Sequence, residues 1–256
     1  MKIIIAPARR MTIDTDSLPF QDLPQFLPQT KKILEYMRSL SYDQCHWLWW
    51  NCSEKLARKN YRWLHQLDLT SQLTPAILAF TGLQYQYMLP DVFTDHAFDY
   101  VQSHLRILSG FYGLLRPLDG IVPYRLGMGD RAKVAGTKNL YQFWGSQLAD
   151  ALYDQPDQWV LNLASKEYSK AITPYLATAN GQHRRMVTVI FGQIKADGQV
   201  RQTTTRAKMA RGRMVRYLAE NNFTSVDAVK DFHDDGFVFD QSRSSNDQLV
   251  FIRHKN

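Results

Sequence analysis

Cysteine is almost missing from this chain: its 256 residues include two, Cys45 and Cys52. On one helix they would stand roughly 10 Å apart along the axis, beyond the reach of a disulfide. Two thiols do not make a four-ligand zinc site, and no Cys-x-x-Cys or His-x-x-x-His pair completes one. Reduced, buried thiols and a cytoplasmic setting are the expectation, with redox sensing by either thiol as the alternative. Long apolar runs are absent too. Ile3–Ile5 is the apolar core of the first ten residues, too short for a signal peptide, and no stretch approaches the ~18 apolar residues of a membrane span. Gly-x-Ser-x-Gly, His-Glu-x-x-His and the P-loop are all missing. Nothing in the sequence requires a metal or an organic cofactor. Acids are in deficit, 24 against 31 Lys and Arg, for a formal charge of +7 and a pI near 9.3. Such a balance bears on anionic partners and not on fold. Nucleic acid is the first candidate, an anionic small molecule the second.

The positive charge is concentrated. Arg206, Lys208, Arg211, Arg213 and Arg216 fall within eleven residues that hold no acid. Ala207, Ala210, Met214, Tyr217 and Leu218 recur among them at helical spacing, which predicts a helix with one buried stripe and charges beside and outside it. Like charges so close repel by a few tenths of a kcal/mol each, a cost an anionic visitor would relieve; a solvated face is the alternative. A second cluster, Lys55, Arg58, Lys59 and Arg62, has the i, i+3, i+4, i+7 spacing of one helix face, opposed by Glu54 alone. Ser53 is a candidate cap. The aromatic segment 42–50 before it predicts another helix, with a tight break at Asn51–Cys52. The pair suits a hairpin presenting charge to a phosphate backbone, its Trp residues being core.

The 45% hydrophobic content allows one large domain or two closely packed ones. Strands are predicted at Lys2–Ala6, Ile77–Phe80, Trp159–Leu163, Met186–Ile194, Val200–Thr205, Phe237–Phe239 and Leu249–Ile252. Asp197-Gly198 is a hairpin turn signal. Helices are predicted near 29–40, 42–50, 53–65, 96–109, within 137–153, at 206–221 and near 225–231. Leu18–Pro28, with Pro19, Pro24 and Pro28, reads as an extended connection. Helices interleave with strands, so the fold class is α/β (mixed α+β), a single domain over 1–256 with a mixed sheet wrapped by helices.

Several strings carry a resemblance: Leu105–Leu118 (LRILSGFYGLLRPL), Pro123-Tyr124-Arg125-Leu126, Leu140–Trp144, Asn162–Ser165 and Lys208–Gly212. In order and spacing they resemble the YaaA family of peroxide-stress-response proteins, from Ile5-Ala6-Pro7-Ala8 to Leu249–Phe251. The resemblance implies protection against hydrogen peroxide, DNA repair, DNA binding, a family-specific single-domain fold, a basic cleft and a helix-hairpin-helix element. The last maps onto Ser53, Lys55, Leu56, Ala57, Asn60 and Arg62, within 42–65, although its Gly-x-Gly hairpin is missing. The chain departs from the family pattern at Arg9 (a Lys there), at Thr81 and Leu83 (a Lys and an Asp) and at Gly127 (a Glu).

Other candidates read from the residues remain. Ser165 can cap a helix after the third strand, where anions bind; an ordinary cap is the alternative. Ser109–Gly113 is a glycine turn that admits close backbone approach. Arg116, extended before Pro117, can present a fork of donors, or it can pair with Asp119. Tyr124 and Arg125 offer a ring beside a guanidinium, or Tyr124 is core. Glu167 beside Tyr168 is a candidate general acid or base. The expected protein is a monomer that binds duplex DNA or repair intermediates through phosphates. The alternative is an enzyme acting on a nucleobase, nucleotide or damaged DNA end with Arg116, Tyr124, Arg125, Lys208 and Arg211 as an anion clamp. A third reading is a structural or iron-handling stress protein; the lack of a metal-ligand cluster in the sequence argues against direct iron binding.

Overall fold

A computed structural model describes residues 1–49, 52–155, 158–177 and 184–253. The strands in chain order are β1 (Lys2–Ile5), β2 (Thr74–Pro75), β3 (Leu105–Ser109), β4 (Gly113–Leu115), β5 (Gly120–Ile121), β6 (Trp159–Asn162), β7 (Arg185–Ile194), β8 (Val200–Arg201), β9 (Phe237–Phe239) and β10 (Gln248–Arg253). The helices are α1 (Leu27–Ser39), α2 (Tyr42–Leu48), α3 (Glu54–Gln66), α4 (Ala76–Ala79), α5 (Leu83–Met88), α6 (Asp95–His104), α7 (Leu140–Trp144), α8 (Gln147–Leu152), α9 (Lys166–Ser169), α10 (Thr204–Glu220) and α11 (Val226–Lys230). The main sheet has the order β4-β3-β1-β6-β7-β10-β9, with β8 hairpinned onto β7. Its five central strands are parallel, while β4 and β9 close the two ends antiparallel. This is the mixed sheet wrapped by helices that the interleaved pattern predicts.

Burial explains why β1 reads as an apolar run. Ile3, Ile4 and Ile5 are all inaccessible, as a parallel strand covered on both faces requires. The turn at 195–198 closes with Gly198 at φ +74, a left-handed residue that glycine adopts without strain. Two predicted elements change type. The helix expected over 96–109 ends at His104, and Leu105–Ser109 is β3, paired with β1 (Ile3 beside Leu105). Ile77–Phe80 is mostly the single helical turn α4, fully buried; a short apolar run fits either period. The Val200–Thr205 strand stops at Arg201, because α10 begins at Thr204. The predicted break at Asn51, and Trp50 before it, lie outside the described residues.

Helix α10 carries the predicted stripe, with Ala207, Ala210, Met214 and Leu218 buried and Tyr217 half-buried. It packs on α5, α6 and β7. Gly212 is buried in that contact. A Cβ there would overlap the Gln84 carbonyl oxygen and lie 2.9 Å from the Met88 nitrogen, so two helix backbones meet where no side chain fits.

Both cysteines are free. Cys45 is fully buried, its thiol pushed up to about 11 by desolvation. A thiol so placed is a poor nucleophile at neutral pH. Native protein is expected to label at Cys45 far more slowly than the urea-unfolded chain. Comparable rates in a timed alkylation followed by peptide mass spectrometry would reinstate the sensor reading.

Candidate functional site

Strand β1 is the point where the chain changes direction across the sheet. From it the chain runs to β3 on one side and later returns to β6 on the other. Parallel sheets bind ligands at the carboxyl ends of strands beside such a point, and a cavity of about 280 Å³ lies there. The segment after β1 supplies Arg9 and Arg10. The segment after β6 supplies Ser165, Glu167 and Tyr168. Tyr124, Arg125, Gly127 and Asp130 form another wall, and Gln84 and Tyr85 of α5 with Lys208 and Arg211 of α10 form the last.

Hydrogen bonds hold these walls in place. Tyr85 donates its hydroxyl to the Ala6 carbonyl at 3.0 Å, tying α5 to the end of β1. Tyr124 shares a 2.6 Å hydrogen bond with Ser109 at the end of β3 and stacks on Phe111. Its phenol is raised by burial, so it stays protonated. The glycine turn behaves as expected: a Cβ on Gly110 would come within 2.8 Å of the Gly127 carbonyl, so the close backbone neighbour is this chain's own loop. Gly129 N–H donates to Glu167 Oε1 at 3.1 Å, and Gly127 N–H to Asp130 Oδ2 at 2.7 Å. Burial raises Asp130, against the opposing pull of the Gly127 N–H and of Arg9.

A groove of about 980 Å³ adjoins the cavity and shares Arg9, Arg10, Trp49, Tyr124 and Arg125 with it. Its far wall is α3, through Leu56, Lys59, Asn60 and Trp63. Two indoles fix that wall. Trp49 donates to the Arg125 carbonyl at 2.7 Å, and Trp63 to the Pro123 carbonyl at 2.9 Å. The hydroxyl of Ser53 makes no capping bond; the capping box of this helix pair is Ser41 with Gln44, at the start of α2. Trp49 is core, but Trp47 is exposed with Arg131 stacked over it.

The structure thus brings together Tyr124, Arg125, Ser165, Glu167, Tyr168, Lys208 and Arg211, along with the departure positions Arg9, Leu83 and Gly127. It places the others elsewhere. Lys55, Arg58, Lys59 and Arg62 are all exposed on α3, with Arg58 bonded to Glu54 at 2.6 Å. Arg116 bridges Asp22 at 3.0 Å and the buried Asp119 at 3.2 Å, which is the pairing alternative; it does not line the cavity. Arg213 reaches Asp234 at 3.1 Å and lies over Tyr87, and Arg216 reaches Glu220 at 2.7 Å. The outer face of α10 is therefore paired by acids, Asp234 from a later segment and Glu220 from the end of α10 itself. Ser165 makes no capping bond with its hydroxyl, and α9 is a single turn.

Among the described residues, no ion pair involves Arg9, Arg10, Arg125, Lys208 or Arg211. Arg211 is the extreme case. Desolvation pushes its guanidinium down to about 10, and its Nε has no partner. Gln84 Nε2, buried in the same wall, has none either. Each such unmet donor costs about 1–3 kcal/mol. Arg10, Gln84 and Asp130 also line the cavity, and none of the sequence motifs singles them out. A basic pair directly after a buried strand is the signal that could have found Arg9 and Arg10; Gln84 carries none. No group of three His, Cys, Asp or Glu among the described residues is placed to hold a metal, and no described helix is long and apolar enough to cross a membrane.

A small αβ protein with an electropositive cavity at the switch point of its sheet is the class these features define. The chain belongs to the family described as "Peroxide stress protein YaaA", whose profile matches residues 1–243. Among its relatives, a protein of Limosilactobacillus reuteri is 59% identical over 251 residues, 98% of each chain. One of Lactiplantibacillus plantarum is 50% identical over 98% of this chain and 99% of its own, and one of Pediococcus pentosaceus 49% over 100% and 99%. All three are named UPF0246 protein.

Proposed function

We propose that this protein serves the peroxide response as a cytoplasmic monomer that binds DNA through the groove between α3 and the cavity, in DNA protection or repair. The observation that supports this reading is the run of cations without ion-pair partners, Arg9, Arg10, Arg125, Lys208 and Arg211, opening into a groove whose far helix presents Lys55, Lys59 and Arg62 to solvent. Helices α2 and α3 serve as the hairpin element. Binding is mainly to phosphates, so it carries little sequence preference and weakens steeply with salt.

The test replaces Lys55, Arg58, Lys59 and Arg62 together by Ala and titrates duplex DNA across salt. Affinity is expected to fall to a similar degree for unrelated sequences. The salt slope should flatten by about one unit per lost phosphate contact, about three in all, because Arg58 already answers Glu54. An unchanged slope in a variant with native circular dichroism removes this surface from the site.

A second reading has its own support. The cavity joins Glu167 to Arg125, Lys208 and Arg211, which favours an enzyme acting on a nucleobase, nucleotide or damaged DNA end. Turnover of modified oligonucleotides that is lost in Glu167→Gln while duplex affinity stays constant would establish it.

A further inference from the structure

Within the cavity, two facts converge on one wall. Arg211 Nε and Gln84 Nε2 are buried nitrogens without a partner. They come from two different helices, α10 and α5, which Gly212 allows to touch. Both atoms are donors, so what is missing is an acceptor. Lys208, one turn earlier on α10, lines the same cavity. The cavity as a whole holds five cations against two carboxylates, Asp130 and Glu167, and Glu167 and Asp130 are each already engaged by a backbone N–H. A neutral ligand would leave that surplus standing, and a singly charged one would offset little of it.

We infer that Arg211, Gln84 and Lys208 form the seat of a terminal phosphate, a phosphomonoester dianion carried by a free nucleotide or by the phosphorylated end of a DNA strand. The inference takes the cleft of the proposed function as its starting point and names what occupies its α5–α10 wall. The seat explains why a guanidinium is kept where burial pushes it down to about 10: its partner arrives with the ligand. Charge-assisted hydrogen bonds from Arg to phosphate are among the stronger ones in proteins, and they strengthen where water is excluded.

The experiment is calorimetry and thermal shift with inorganic phosphate, deoxyadenosine 5′-monophosphate and deoxyadenosine, on the wild-type chain and on Arg211→Met. Phosphate and the monophosphate are expected to bind and to raise the melting temperature, whereas the nucleoside does neither. Arg211→Met should weaken the monophosphate at least about tenfold. Its ligand-free melting temperature should stay level or rise, because an unpaired buried charge has been replaced by an apolar chain of similar length. A purely structural Arg211 would instead give a lower melting temperature and unchanged ligand affinity. Competition with one oligonucleotide, 5′-phosphorylated or 5′-hydroxyl, separates the sources: preference for the phosphorylated strand assigns a strand end, and equal weak competition assigns the free nucleotide. Equal binding of the nucleoside, or no phosphate response in the wild type, overturns the seat. Duplex affinity measured alongside keeps the two ideas apart, since loss of α3 binding with the phosphate response intact sinks the DNA reading alone.

Discussion

Gly212→Ala is expected to destabilise the protein by about 3 kcal/mol, at the upper end of the usual range for overpacking. For a chain of this length that is about 6–12 °C in melting temperature. The sign is what makes the measurement decisive. In the middle of an exposed helix the same change stabilises by roughly 0.5–1 kcal/mol, because alanine loses less backbone freedom. At 212 the added methyl meets the Gln84 carbonyl and the Met88 nitrogen of α5. Both are backbone atoms, so relief requires the helices to part. Parting them would also separate Gln84 from Lys208 and Arg211, and phosphate and DNA binding should weaken together. Differential scanning calorimetry of the purified variant reads the first effect. A melting temperature that rises by the propensity increment would mean that α10 and α5 are not in backbone contact.

Where sequence and structure agree, one local cause was enough to specify the element. β1 is a run of isoleucines stopped by a proline. The β7–β8 hairpin carries Asp197-Gly198. α10 has an apolar stripe long enough to show its period. They part where the deciding partner is distant. Leu105, Ile107 and Leu108 suit a helix and a strand equally, and pairing with Ile3–Ile5 makes them a strand. Ile77–Phe80 is buried on all sides, so no polar face marks its period. The candidate site divides in the same way. Tyr124, Arg125, Lys208 and Arg211 stand in strings that can be read directly, and they do meet. Arg206, Lys208, Arg211 and Arg213 look equally available in sequence because the run from Arg206 to Arg216 holds no acid. Asp234 and Asp235, beyond β8, come back to neutralise Arg206 and Arg213. Gly212 is a related case: a glycine admits a close neighbour wherever it stands, but only the folded chain shows that the neighbour is the backbone of α5.

The difference between paired and unpaired cations on one helix leads to the last expected result. Arg211→Ala should weaken duplex binding by about 1–3 kcal/mol, the worth of a hydrogen bond to a charged group, or roughly 5- to 150-fold. Arg213→Ala should weaken it less. Arg211 sits in a desolvated wall with a donor that nothing in the described protein satisfies, so a DNA phosphate there finds an unsatisfied partner in a weakly screened setting. Arg213 already has Asp234 at 3.1 Å, Asp235 at 3.9 Å and the Tyr87 ring beneath it. Removing it takes a partner from each of two carboxylates and acts through net charge. At 1 M salt, where the screening length is about 3 Å, the Arg213→Ala deficit should vanish and the Arg211→Ala deficit should persist. Both variants are to be titrated at low and high ionic strength, with melting temperatures measured in parallel. Surface ion pairs contribute about 0–1 kcal/mol, so Arg213→Ala should melt within a few degrees of wild type. Equal losses that both disappear in salt would reduce α10 to a diffuse basic surface. A loss in Arg211→Ala that follows its melting temperature would make Arg211 a structural residue and leave binding to α3 alone.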